Sequence, residues 1–214
     1  MRLLAIDTAA DLCAACVLDT EAGEQGRCVL DIGKGHAERL MAVIDAALAS
    51  AGTSHADLDA VAVAVGPGSF TGVRVGVAAA RGLALALKIP AIGVTTLEAL
   101  ARQARDADPS RRIVARIEAG RGQAYVAAFS AAGALTFGPA ALALADADAL
   151  VRDMGDDRGE NALLATGKTA DIAVYARLAA EALGRGDAPE RPRPLYLRDA
   201  DARPQGAFAL PRKA

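Results

Sequence analysis

The sequence predicts an α/β protein of two lobes, each a mixed β-sheet flanked by helices. Three observations carry the prediction: three short apolar strands in the first thirty residues, an alternation of helix and strand up to Arg105, and a second meander that begins near Arg112 as though the first were restated.

Residues 3–7, 13–19 and 25–32 read as strands joined by polar or glycine turns. In HAERLMAVIDAALASA, residues 36–51, the apolar side chains Leu40, Val43, Ile44, Ala47 and Leu48 recur at helical spacing and Gly52 ends the run. The uncharged AVAVAV of 60–65 is a buried strand. Residues 71–87 are apolar almost all round and are expected to be a helix buried on most sides, closed by Pro90. A strand at 91–94 and a helix at 96–105 complete the first lobe, residues 1–105. The second, residues 106–214, has strands at 113–118, 123–129, 133–144 and 162–166, helices at 145–154 and 171–183, and a Pro- and Arg-rich tail. Three strands, helix, strand, helix, strand, helix is the order of one lobe of the actin-like or ribonuclease-H-like architecture, an order that other mixed sheets share.

Composition narrows the function classes. Of 214 residues, 53% are apolar but only 3% aromatic, so the core is built from Ala, Val, Leu and Ile, and stacking platforms for single-stranded nucleic acid are not expected. A net charge of −2 gives no whole-protein attraction to nucleic acid or membrane. The charge is unevenly spread: from Arg191 onward six basic side chains face two aspartates, leaving the tail at +4 and the rest at −6. That tail reads as a solvated, partly disordered segment, with contact to RNA or an acidic partner as the alternative. MRLLAIDT lacks the pattern of a signal peptide and no run approaches a membrane span, so a cytoplasmic protein without membrane contact is expected. Cys13, Cys16 and Cys28 are expected as reduced thiols, the first two on opposite faces of one strand as small core residues. His36 and His55 lie too far from them for a metal site.

GPGSFTGVR, residues 66–74, joins the buried strand to the apolar helix. Gly66 and Gly68 could let backbone N–H groups converge on an anion at the helix start, with Asp7, Thr8 and Ser69 as further phosphate contacts. The spacing matches neither the dinucleotide fingerprint nor a P-loop. In the packing alternative, Ser69 or Thr71 caps the helix and Gly72, Gly76 and Ala80 form a flat strip that another helix approaches closely.

LAIDTA at 3–8, His36 opening a helix, GPGSFTGVRVG at 66–76, GLALAL at 82–87, PAIGVTTLEALA at 90–101 and PLYLR at 194–198 together resemble the bacterial TsaB (YeaZ) family, closely over the first hundred residues and loosely beyond. The resemblance implies an actin-like two-lobe fold and a part in making N6-threonylcarbamoyladenosine at position 37 of tRNA. It also implies partners: the catalytic paralogue TsaD, the ATPase TsaE, tRNA indirectly through the complex, and a second copy when the chain is alone. The catalytic relatives carry two metal-binding histidines four residues apart where this sequence has Thr96 and Leu100, and leucine cannot ligate a metal. The chain therefore reads as a non-catalytic paralogue with no metal site and no firmly bound cofactor, ATP or ADP being expected only at a partner interface. The partner-binding residues expected are His36, Leu40, Phe70, Thr71, Gly72, Val73, Arg74, Gly76 and Ala80. IEAGRGQAYVAAF departs from the family form, with Glu118, Ala119 and Arg121 displaced by one residue, shifted or inserted. The competing reading is a nucleotide-binding ATPase or a glycoprotease-like hydrolase.

Overall fold

Strand β1 (Arg2–Asp7) is buried from its second residue onward and forms the axis of the first sheet. It pairs antiparallel with β2 (Leu12–Asp19), which pairs with β3 (Gly23–Asp31), and parallel with β4 (Ala60–Ala64), which pairs with β5 (Ala91–Val94). The first sheet therefore runs β3-β2-β1-β4-β5, antiparallel on one side of β1 and parallel on the other. The second sheet runs β8-β7-β6-β9, from β6 (Ile113–Gly120), β7 (Gln123–Phe129), β8 (Leu135–Ala143) and β9 (Leu163–Thr166). The computed structural model describes residues 1–155, 162–186 and 190–198.

Helices α1 (His36–Ser50) and α2 (Phe70–Leu87) pack on the first sheet, and α4 (Leu144–Asp153) on the second. The remaining two helices change places. Helix α3 (Thr96–Ala107) packs chiefly on β6, β7 and β9, whereas α5 (Ile172–Gly184) packs on β1 and β2. Strands segregate by sequence on either side of residue 105, but each of these two helices serves the sheet of the other half. One continuous core runs through both sheets, from Leu3 and Val63 to Ile113, Phe129 and Tyr175.

Helix α2 departs from the expectation of burial on most sides. Its inner face holds Gly72, Val73, Gly76, Val77, Ala80 and Ala84, but Phe70, Arg74, Ala78, Arg81 and Leu85 are exposed. Phe70 is 53% and Leu85 81% accessible. By length and composition this 18-residue helix is also apolar enough to cross a membrane, contrary to the expectation that no run is; its inner face is committed to the sheet.

Candidate functional site

Three loops meet at the carboxyl ends of β1 and β4: the β1–β2 turn, the glycine-rich turn into α2, and the β9–α5 connection. Asp7 lies at their centre, 2% accessible. Its Oδ1 accepts the Ala9 N–H at 2.8 Å and its Oδ2 accepts the Thr169 hydroxyl, which also lies 2.7 Å from the Tyr175 hydroxyl. Burial raises the Asp7 carboxyl above its ordinary range, against the opposing effect of those two hydrogen bonds. At the rim Lys168 pairs with Asp11.

The glycine-rich turn closes directly onto this hairpin. Gly66 adopts φ +90°. Ser69 N–H donates to the Ala9 carbonyl at 2.6 Å, the Ser69 hydroxyl accepts Gly72 N–H at 3.2 Å, and the Thr8 hydroxyl donates to the Gly72 carbonyl at 2.7 Å. A Cβ on Gly68 or Gly72 would overlap the Ala9 or Thr8 carbonyl, and one on Gly76 would stand 2.6 Å from Thr8 Oγ1. Both oxygens of Asp7 and the amides of Ala9, Ser69 and Gly72 are thus engaged within the chain, and they tie the β1–β2 turn to the start of α2.

The expected partner-binding set is divided by this packing. Gly72, Val73, Gly76 and Ala80 face Thr8, Val63 and their neighbours, Leu40 is 2% accessible, and His36 is buried with Nε2 3.1 Å from the Leu12 carbonyl. These six are corrected to internal positions: the flat strip receives the chain's own sheet. Phe70, Thr71 and Arg74 remain at the surface. Arg74 Nε donates to the Tyr196 hydroxyl at 2.6 Å and its guanidinium lies 3.7 Å from the Phe70 ring centre, with the two rings 5.4 Å apart. Tyr196 was not among the expected residues, although it lies inside PLYLR; its signal was in the motif, its partner 122 positions away.

Tyr196 belongs to a strap, residues 190–198. Pro192 lies beside Gly93, Leu195 N–H donates to the Val65 carbonyl at 2.8 Å, and Arg198 reaches the Gly120 carbonyl at 3.3 Å and stands over the Tyr125 ring. The segment in which Glu118, Ala119 and Arg121 depart from the family form contains a β-bulge: Glu118 faces Ala124 while Gly120 faces Gln123. Gly120, Arg121 and Gly122 then take successive positive φ angles of 69°, 55° and 71°. Cys13 and Cys16 are buried thiols, pushed by burial up to about 11 and about 12. Thr96 and Leu100 are buried. Among the described residues no group of three or more His, Cys, Asp and Glu side chains is placed to hold a metal ion. The basic tail lies outside the described residues beyond Arg198.

A family model described as "TsaD: tRNA N6-adenosine threonylcarbamoyltransferase" matches residues 31–157. The "tRNA threonylcarbamoyladenosine biosynthesis protein TsaB" of Escherichia coli (strain K12) is 33% identical over 129 residues, 60% of this chain and 55% of that protein. YeaZ from Pseudomonas aeruginosa superposes with a TM-score of 0.73 at 26% identity, covering 92% of this chain and 99% of that one. The chain belongs to the TsaB family. An uncharacterized protein of Mycobacterium tuberculosis (strain ATCC 25618 / H37Rv) is 36% identical over 94% of both chains. The matches span about half the length of the curated TsaB relatives, 55% in Escherichia coli and 52% in Haemophilus influenzae.

Proposed function

We propose that this chain is a non-catalytic subunit in the synthesis of N6-threonylcarbamoyladenosine at position 37 of tRNA. It works by binding a TsaD-type catalytic paralogue, with TsaE joining the pair and tRNA engaged through the complex. The observation that carries the reading is the open face of α2: a helix apolar enough for a core presents Phe70, Arg74 and Ala78 to solvent, with Tyr196 of the strap packed beside Phe70 and Arg74. Aromatic and arginine side chains grouped on an apolar surface are the composition of an interface anchor. Met41, 47% accessible, is a further exposed apolar side chain on α1, the helix that packs beside α2. A second copy occupies the same face when the paralogue is absent.

The internal engagement of Asp7, Ser69 and Gly72 supports this reading over a free-standing ATPase; in it, ATP or ADP binds at the interface with the partner. Co-purification with a TsaD paralogue followed by light scattering tests it. A stable one-to-one complex is expected, with Phe70→Asp weakening it by about 30-fold or more while the variant's own melting temperature stays at the wild-type value. Absence of a complex, with or without tRNA and ATP, rejects the scaffold role. Calorimetry of the isolated chain with magnesium and millimolar ATP is expected to show no binding; a saturable heat restores the ATPase reading.

A further inference from the structure

At the far end of α2 from Phe70, about 27 Å along the helix at its regular rise, a groove of about 520 Å³ opens between the helix C-terminus, the start of β5 and the strap. Its apolar wall is Leu85, Ile89 and Pro192, and its charged groups are Arg81, Lys88 and Arg191, with no carboxylate among the lining side chains. Glu190 precedes Arg191 in sequence but does not line the groove. Among the described residues none of the three cations has an ion pair or a side-chain hydrogen bond.

Compensation of the helix dipole accounts for Lys88 alone, because Arg81 stands nearly two turns before the helix end and Arg191 comes from a separate segment. Lys88 is itself in an unusual place. It occupies the left-handed C-cap at φ 59°, ψ 37°, a conformation in which glycine carries no steric cost. A cation thus stands where backbone geometry favours glycine, beside two other unpaired cations and the most exposed large apolar side chain among the described residues, Leu85.

We propose that this groove binds an acidic, amphipathic peptide segment of a partner protein, its carboxylates meeting Arg81, Lys88 and Arg191 and an apolar side chain lying against Leu85, Ile89 and Pro192. The volume is in the range of sites that hold a few side chains. No aromatic side chain lines it, so a nucleobase finds no stacking surface. The chain's own tail is a poorer occupant, since beyond the strap Asp199 and Asp201 are outnumbered by Arg203, Arg212 and Lys213, which repeat the sign of the groove.

The test is fluorescence anisotropy of a labelled twelve-residue peptide rich in Asp and Glu with two leucines, against versions with Lys for the acids or Ser for the leucines. The acidic peptide is expected to bind in a salt-sensitive manner. The Arg81→Glu/Lys88→Glu/Arg191→Glu variant, checked for unchanged thermal melting, is expected to bind roughly tenfold or more weakly, three ion pairs being lost. If that variant is destabilised, Arg191→Glu alone, on the strap, is expected to weaken binding about threefold. Phe70→Asp is expected to leave peptide binding unchanged, which keeps the result separate from the α2 face assigned to the paralogue. Unchanged affinity in the charge-reversed variants overturns the proposal. So does equal binding of the leucine-free peptide or full displacement by tripolyphosphate, either of which marks a general anion patch. If the acidic peptide fails to bind and charge reversal abolishes self-association of the chain, the groove holds a second copy and the proposal is likewise overturned.

Discussion

Gly76 has no room for a side chain, because a Cβ there would sit 2.6 Å from Thr8 Oγ1 and 3.4 Å from Val63 Cγ2. Gly76→Leu is expected to destabilise the chain by about 3 kcal/mol through overpacking, read as a lower urea midpoint; a soluble variant of native stability that has lost only its partner would return this glycine to the surface. Asp7 gives a pH signature. Its folded-state pKa is raised above the unfolded value by burial, so the folded protein holds a proton that the unfolded chain releases between the two values. The Asp7 contribution is therefore present below the ordinary carboxylate range and is lost as pH rises through the folded-state value. Asp7→Asn does not titrate, so the stability of the variant relative to wild type should improve as pH climbs from about 3 to about 7. A difference that stays flat over that range would show that burial does not govern this carboxyl.

Helix α2 is held at its start by a hydroxyl cap and along its inner face by small residues against β1 and β4. Ser69→Ala removes the acceptor for Gly72 N–H and is expected to cost about 1 kcal/mol, measured by chemical denaturation; a cost near zero would mean that water replaces the cap. The element itself was legible in the sequence, since the glycine-rich start, the apolar run and Pro90 bound it. Its orientation was not. An amphipathic helix announces its buried face through periodicity, as α1 does with Leu40, Val43, Ile44, Ala47 and Leu48; in α2 the two charged side chains, Arg74 and Arg81, mark the exposed face, but small residues opposite them suit the chain's own sheet and a partner helix equally well. The strip of Gly72, Gly76 and Ala80 was therefore assigned to a partner when it receives the chain's own β1 and β4. The Asp7–Thr169–Tyr175 network was illegible for another reason: Asp7 and Thr169 lie 162 positions apart, and nothing local to either residue names the other.

The whole molecule is tied together by the exchange of α3 and α5. Strand order and the two-sheet plan could be anticipated from the alternation of elements, but which sheet a helix covers depends on the path of the chain in space. Residues 1–107 contain all of the first sheet and yet lack the helix that lies on β1 and β2. That fragment is expected to be only partly folded, binding a hydrophobic dye and losing hydrogen-exchange protection in β1 and β2; cooperative unfolding with native protection would show that the first lobe stands alone. Arg27 with Asp171, and Lys168 with Asp11, add exposed ion pairs between the same distant parts of the chain. Pairs this accessible contribute little compared with the apolar contact of α5.

The same exchange sets a timetable for synthesis. The last strand of the first sheet is complete at Val94, but its covering helix ends at Gly184. At translation rates of about 5–20 residues per second, the ribosome needs roughly 5 to 18 s to make the intervening ninety residues. During that interval the β1–β2 face, among the most apolar surfaces of the protein, is presented to solvent on a tethered nascent chain. A chaperone that shields apolar strands during elongation is expected to cross-link to this region until α5 emerges, and to release it once that helix is made.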